Sequence, residues 1–223
     1  MLSRLQSGPH PPGPGAQSND HHSFIMRLCK AGSGTTLLMA HPSTLHRFRI
    51  DLSDIDRGVY EKIDIRVARH PSESEEFLLT RVLAFALNFD RELAFSKGGL
   101  SNPDEPCIAI TDPGGGFKLW IEAGNPSTRK LHRATKSSPR VRIYTYKNPE
   151  LLISELEADG IYQPERLELF CFSQGLLESL ETTLARDNTW NLIHQDGSLM
   201  IQVGEEAVSG ELISCSLARL GKG

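Results

Sequence analysis

The apolar residues of this chain follow two different periods on either side of residue 70. Upstream, apolar and polar residues alternate in two runs, with apolar positions at Phe48, Ile50, Leu52, Ile63, Ile65 and Val67. A period of two is typical of strands, and the turn-forming SDIDRG between the runs predicts an antiparallel hairpin. Downstream, apolar residues between 78 and 89 recur at helical spacing, which predicts a long helix over 72–89 that is buried on one side. Ser72 as N-cap and Glu75 three residues later form a predicted capping box for this helix.

The remainder of the chain mixes strands and helices without a regular β–α repeat. A glycine turn, PGGG, joins two predicted strands over 106–123, with a short strand near LAFS before them. Asn125 as cap and Pro126 at the first position predict a helix over 126–137, followed by a strand over 140–146. Further elements are a helix (150–160), a strand (167–173), a helix (176–187), a hairpin turning at Asp196–Gly197 and a last strand (210–217). This mixture predicts an α+β, or mixed α/β, fold with one central mixed sheet.

The first residues have a different composition from the rest. Four prolines fall between residues 9 and 14, and no apolar period is present before residue 24, so disorder is expected there. We interpret this segment as an unstructured leader or the product of an upstream start, since Met26 and Met39 are alternative starts. A transit peptide is a further alternative, because acidic residues are scarce before Asp51.

Composition excludes several classes of protein. The mean hydropathy is −0.30, and no run approaches the roughly 18 apolar residues that a membrane span needs. The four cysteines are far apart and form no C-x-x-C pair, which argues against a zinc site and a disulfide framework. P-loop, G-x-S-x-G and G-x-G-x-x-G motifs are absent. We therefore expect a cytoplasmic protein with reduced thiols and no membrane partner.

Charge is distributed unevenly along the chain. The net charge is −4, so the protein as a whole is no general polyanion binder. Residues 123–149 nevertheless hold seven basic residues and no acidic one, namely Arg129, Lys130, Arg133, Lys136, Arg140, Arg142 and Lys147. This basic segment directly follows Glu122, and such a segment suits the binding of phosphates. A solvated face is the alternative interpretation of a charge block.

Two acids at the predicted 106–123 hairpin are candidate metal ligands. Asp104 precedes the first strand and Glu122 lies near the end of the second, so pairing of the strands would bring the two carboxylates together. Carboxylates that approach each other require a proton or a cation between them, and Mg²⁺ prefers such oxygen ligands. Lys130 would then face a phosphate bound at the same place. Alternatively, Glu122 pairs with Arg129 or Arg133 and only anchors a turn.

Two further residues are weaker candidates. Glu76 lies at the border of the apolar stripe of the first helix, where it could face the sheet end near Glu122, or could simply face solvent. His70 has a side chain that titrates near neutral pH, but a His-Pro pair at a strand-to-helix junction more often shapes the turn.

Several motifs, in order and spacing, resemble those of the YaeQ family of small bacterial proteins. They are FRIDLSDIDRGVY, ARHPSESEE, LLTRVLAF, DEP, LWIEAGNPS and VRIYTYK, and the likeness runs from about Met39 to the C-terminus. The resemblance predicts a leader over 1–38 and a single domain over 39–223. It also implies a fold similar to restriction endonucleases, the PD-(D/E)XK nuclease superfamily, with an N-terminal hairpin and C-terminal strands added to that core.

The resemblance also implies a metal site built from Glu76, Asp104 and Glu122. The superfamily places a lysine two residues after the strand acid, and Gly124 occupies that position here. In the family the basic residue has moved to the following helix, where this chain offers Lys130 and Arg133. These two side chains are not equivalent, because arginine presents a planar fork and lysine a compact ammonium group.

The sequence leaves two functional hypotheses, besides the simpler option of a protein whose charge blocks serve only solubility. The first is a nuclease dependent on Mg²⁺ (or Mn²⁺), in which Asp104 and Glu122 bind the metal and Lys130 or Arg133 stabilises the phosphate. The second is a catalytically inactive module that binds nucleic acid or an unidentified protein partner, for example in transcription. In both, the predicted nucleic-acid contacts are Arg129, Lys130, Arg133, Lys136, Arg140 and Lys147.

Overall fold

The computed structural model describes residues 43–96, 102, 104–217 and 220, and these belong to the compact unit Ala40–Gly223. The predicted leader over 1–38 lies outside the described residues. No helix in the described part of the chain has both the length and the apolar character needed to cross a membrane.

The described elements comprise strands and helices in irregular alternation. The strands are β1 (Thr44–Asp54), β2 (Val59–Arg69), β3 (Ala94–Phe95), β4 (Ile108–Asp112), β5 (Gly116–Ala123), β6 (Val141–Thr145), β7 (Leu167–Phe172), β8 (Asp187–Gln195), β9 (Ser198–Val203) and β10 (Glu206–Cys215). The α-helices are α1 (Glu75–Leu87), α2 (Thr128–Ser137), α3 (Pro149–Asp159) and α4 (Leu176–Glu181), and a 3₁₀ turn covers Pro164–Arg166. The fourth helix is shorter than predicted, because the chain turns after Glu181 and enters β8 at Asp187.

The strands pair into one sheet in the order β2-β1-β8-β9-β10-β7-β6-β5-β4-β3. Most pairs are antiparallel, and the parallel ones are β1–β8, β5–β6 and β6–β7. The last strand joins the two parts of the sheet, since Glu206–Glu211 pair with β9 and Leu212–Cys215 pair with β7. The mixed α+β class predicted from the sequence is confirmed.

The N-terminal hairpin forms as the alternating pattern predicts. Strands β1 and β2 pair antiparallel along their whole length, from Thr44–Arg69 to Asp54–Val59. Phe48, Ile50 and Leu52 of β1 are almost completely buried, whereas Leu45 at the start of the strand is exposed. The second predicted hairpin turns at Asp196–Gly197, where both residues have positive φ, 50° and 77°. Positive φ at both central residues matches the right-handed twist of the paired strands.

Helix α1 is more deeply buried than its apolar stripe predicts. Every residue from Leu78 to Leu87 is buried, so the helix is enclosed on all sides and not on one. The enclosure includes Arg81, whose guanidinium lies 2.7 Å from the Glu73 carboxylate. A charge can be buried there because its partner is buried with it.

The N-caps of the first two helices differ from the predicted ones. Ser74 caps α1 by accepting a hydrogen bond from the Phe77 N–H, while the Ser72 hydroxyl lies 2.6 Å from His70 Nδ1. Ser127 caps α2, and Asn125 instead contacts the Thr145 hydroxyl at 2.8 Å. In each case the predicted cap side chain has a competing local partner.

Strand β5 contributes to cores on both faces of the sheet. Leu119 and Ile121 pack with α1 and α4, whereas Trp120 packs with α2 and α3 on the opposite face. Helices α2 and α3 are the crossovers of the two parallel units β5–α2–β6 and β6–α3–β7. Even-numbered residues of β5 therefore face α2, and the next of them after Trp120 is Glu122.

Candidate metal and phosphate site

Glu122 lies near the carboxyl end of β5 and is only 1% exposed. Its Oε1 accepts a hydrogen bond from Trp120 Nε1 at 2.7 Å. Its Oε2 lies 2.9 Å from Lys130 Nζ and 3.2 Å from Cys107 Sγ. Three donors from three different elements thus converge on one buried carboxylate.

Burial and the neighbouring ammonium act in opposite directions on this carboxyl group. Burial raises the pKa of Glu122, and the charge and hydrogen bond of Lys130 oppose the rise without cancelling it. Burial, reinforced by the charge of Glu122, also raises the pKa of Cys107 to about 12. Cys107 is therefore a neutral thiol at physiological pH, and it serves as a donor to the carboxylate rather than as a nucleophile.

The loop after β5 determines where the basic group comes from. Gly124 has φ of +70°, and a Cβ at this position would lie 3.2 Å from the Phe77 ring. A lysine at residue 124 is therefore disfavoured both by the backbone and by α1. Lys130 reaches Glu122 from the first turn of α2, and its side chain is only 18% exposed.

Asp104 also pairs with α2, through a residue one turn beyond Lys130. Its carboxylate forms an ion pair with the Arg133 guanidinium, and both side chains are about half exposed. Lys130 and Arg133 are three residues apart, so they lie on neighbouring turns of one helical face. The two predicted metal ligands are thus brought to the same face of α2, each with its own basic partner.

Glu76 has polar partners of its own at the start of α1. Its carboxyl group interacts with the Ser74 hydroxyl and with Glu181 of α4, and the Ser74 hydrogen bond is the main cause of its lowered pKa. The pKa of Glu181 is raised, first by burial and then by the charge of Glu76. Phe77, the next residue of α1, is the side chain that lies against Gly124. The start of α1 thus lies near the end of β5, and the role of Glu76 at Glu122 stays a prediction.

The other basic residues of the 123–149 segment differ in their surroundings. Arg129 is exposed on α2, and Lys136 lies with its Nζ 5.7 Å from the centre of the Tyr162 ring. Arg140 has Glu168 at 3.6 Å, which partly neutralises it. Lys147 follows β6, with Nζ 5.7 Å from the Tyr146 ring.

Sequence reasoning missed Trp120 and Cys107 as partners of Glu122. The proximity of Trp120 to Glu122 could have been predicted, because residues two apart on a strand lie on the same face. Cys107 lies on the neighbouring side of the hairpin, 15 residues away, and no motif marks it. His70 has the turn role, since its Nδ1 also accepts from the Ser72 N–H at 3.2 Å.

The oxygen ligands available at this site are of the kind that a hard divalent cation prefers. Glu122 and Asp104 supply carboxylate oxygens, and Mg²⁺ is commonly held by one or two carboxylates together with waters and substrate phosphates. The three donors on Glu122 use three of the roughly four lone-pair positions of a carboxylate. Among the described residues no group of three or more His, Cys, Asp and Glu side chains forms a closed cage. Among the described residues, an ion here would thus have these two acids as its protein ligands, together with waters or phosphates.

Fold and site together define a mixed α+β protein with a large, mostly antiparallel sheet and a buried carboxylate–lysine pair at the carboxyl end of a parallel strand. The profile described as YaeQ protein matches residues 39–212. The chain belongs to the YaeQ family, as the sequence motifs predicted.

Similar proteins are bacterial. The uncharacterised protein YaeQ of Salmonella typhi is 29% identical over 164 residues, which cover 73% of this chain and 90% of that protein. The uncharacterised protein YaeQ of Escherichia coli K12 is 33% identical over 110 residues, covering 49% and 60% of the two chains. The crystal structure of YaeQ from Xanthomonas axonopodis pv. citri superposes with a TM-score of 0.70 at 29% identity, over 77% of this chain and 97% of that one. The YaeQ structure from Pseudomonas syringae gives a TM-score of 0.71 at 28% identity, over 78% and 96%.

Proposed function

We propose that this protein is a metal-dependent phosphodiesterase of the nuclease type, with Glu122 and Lys130 at its centre. The observation that carries the proposal is the 2.9 Å contact between Lys130 Nζ and the buried Glu122 carboxylate at the carboxyl end of β5. An acid and a lysine in contact at a strand end is the arrangement that the PD-(D/E)XK resemblance implies. Ligands of open sheets with parallel strands commonly bind at carboxyl ends.

The order of elements supports a restriction-endonuclease-like core. That core consists of a helix, three strands, a helix and a strand. This chain presents α1, then β3, β4 and β5, then α2 and β6 in the same order. Gly124 replaces the strand lysine, and Lys130 from α2 supplies the basic group at the acid.

Asp104 and Glu122 would hold Mg²⁺ or Mn²⁺. When bound, such an ion would polarise the phosphate and a water molecule. Lys130 stabilises negative charge on the phosphate, since its ammonium already lies at the mouth of the site, and Arg133 does so from the next turn. The exposed Arg129 and Lys136 provide contacts to the nucleic-acid backbone, with Arg140 and Lys147 beyond them. Such contacts make binding strongly dependent on salt.

The test is cleavage of single- and double-stranded DNA and RNA by the purified protein with Mg²⁺ or Mn²⁺. Glu122→Gln should abolish cleavage, because it removes the charge while retaining a group of similar shape. Lys130→Met should likewise weaken cleavage, and Lys118→Met is its control, since Lys118 is an exposed lysine of β5 whose ion pair is with Glu92. Cleavage that is unchanged in Glu122→Gln would contradict the proposal.

A second candidate is a nuclease-fold module that binds without turnover. The specific observation that favours it is that each acid already has a basic partner, Glu122 with Lys130 and Asp104 with Arg133. Acids that serve only to hold α2 in place need no metal. In that case the basic face of α2 binds nucleic acid, or the acidic segment after residue 150 meets a basic partner protein.

Metal-dependent thermal stability separates the two candidates. A ligand that binds only the folded state raises the melting temperature by mass action. The phosphodiesterase proposal expects Mg²⁺ or Mn²⁺ to stabilise the wild type but not Glu122→Gln. The binding module expects no metal effect in either protein, together with nucleic-acid binding that survives Asp104→Ala.

A further inference from the structure

Strand β2 forms one edge of the sheet, and this edge is long. It spans 11 residues, Val59–Arg69, whereas the strand at the opposite edge, β3, has only two. In the part of the chain that the structure describes, β2 pairs with β1 alone. The backbone groups on its outer side therefore lack a strand partner.

The edge also lacks most features that normally prevent pairing. An exposed edge is commonly blunted by shortness, by proline or by a bulge. The β2 sequence VYEKIDIRVAR contains no proline and no glycine, and its register with β1 is unbroken over all 11 residues. The charged side chains of β2 are its remaining protection against pairing. Their positions along the strand determine which partner strands would be repelled.

We propose that β2 pairs antiparallel with β2 of a second copy of this chain, about a two-fold axis at Ile65. This register sets Asp64 of each copy opposite Arg66 of the other; both side chains are exposed, and Asp64 also binds Arg47 of its own β1. It also sets Glu61 opposite Arg69. Cross-strand pairs of opposite charge stabilise a sheet and like pairs destabilise it, so the edge is complementary to itself.

The inner face of the strand fits the same register. Ile63 opposes Val67, and Ile65 opposes its own copy. Ile63 and Val67 belong to the buried core of each copy, and Ile65 packs against that core and is partly buried. Pairing would join the two apolar faces into one continuous layer, as an isologous two-fold interface requires.

Neighbouring registers fit less well. An axis at Ile63 sets Lys62 opposite Asp64 but places the charge of Glu61 opposite Ile65. An axis at Asp64 places two aspartates opposite each other, which is destabilising. The self-complementary arrangement is therefore specific to the axis at Ile65.

The test is sedimentation equilibrium of the full chain and three variants over a range of concentrations. The wild type should form a dimer. Arg66→Asp should weaken dimerisation roughly tenfold, because it converts two pairs of opposite charge into pairs of like charge. Asp64→Arg combined with Arg66→Asp should restore the dimer, and Arg91→Asp, an exposed arginine away from the edge, should leave it unchanged.

Hydrogen exchange provides a readout that requires no substitution. Alternate amides of β2 should exchange quickly in dilute protein and slowly at high concentration, since pairing protects the outward amides. Far-UV circular dichroism verifies that each variant is folded. A wild type that sediments as a monomer throughout, or a double variant that stays as weak as Arg66→Asp, would overturn the proposal.

Discussion

Lys130→Met isolates the energetic role of the pair at Glu122. The variant keeps most of the side-chain volume but removes the cation that is paired with a carboxylate that is 1% exposed. Removing one partner of a buried ion pair costs about 3–5 kcal/mol when the remaining charge stays ionised. The Glu122 carboxylate can also take up a proton, so the loss must depend on pH.

The direction of this dependence follows from linkage. Burial already raises the pKa of Glu122 in the wild type, and Lys130 opposes the rise, so the variant has a still higher folded-state pKa. Between the unfolded and folded pKa values the folded variant binds more protons than the unfolded chain, and stability falls as pH rises. The slope approaches about 1.4 kcal/mol per pH unit. We expect a difference from wild type below about 1 kcal/mol near pH 5 that grows to about 3–5 kcal/mol near pH 8.

Urea unfolding of both proteins at several pH values measures this difference. Glu122→Gln combined with Lys130→Met should show a difference from wild type that lacks the progressive loss at high pH, because no carboxyl group remains at residue 122. Lys136→Met should stay within about 0.5 kcal/mol of wild type at every pH. A Lys130→Met variant whose loss is the same at pH 5 and pH 8 would refute the reasoning.

Two further predictions follow from the fold. The buried Asp54 has a lowered pKa, because hydrogen bonds, chiefly from Arg57, outweigh the effect of burial, which acts to raise it. Its contribution to stability is present above its unfolded pKa and is lost as pH falls through the folded value, so Asp54→Asn should flatten the acid limb of a stability–pH curve measured by urea unfolding. Gly124→Ala should destabilise the protein by more than about 1 kcal/mol, and by more than Gly58→Ala. Both glycines have positive φ, but a Cβ at Gly124 meets the Phe77 ring and one at Gly58 meets nothing. Equal losses in thermal melts of the two variants would show that the ring contact has no role.

The alternating strands were predictable because burial of one face of a hairpin imposes a period of two. Phe48, Ile50 and Leu52 follow it and are buried as expected. The full enclosure of α1 was not predictable from its own sequence, because the layers around it come from elements as distant as α4. The positions of the helix caps were missed by two residues for a local reason. Ser72 and Ser74 are both suitable caps, but the Ser72 hydroxyl is engaged by His70 and Ser74 caps the helix.

The site was predictable in part. The sequence around Glu122 shows the strand acid, the basic helix and the absence of a strand lysine. In the structure, α2 brings Lys130 to Glu122 and Arg133 to Asp104. The enclosure of the carboxylate by Cys107 depends on the pairing of β4 with β5, which no local pattern encodes. The position of Glu76 depends on α4, more than 100 residues downstream, and the sequence offers no signal for that contact.

The dual pairing of β10 has a consequence for the order of folding. Its first half closes onto β9 and its second half onto β7, and it is the last of the described strands to leave the ribosome. Neither part of the sheet is joined to the other until that strand emerges, so one edge of β7 stays unpaired while residues 173–205 are synthesised. This late closing step favours slow maturation, and it makes the open edge of β7 a place where chaperones can bind the nascent chain.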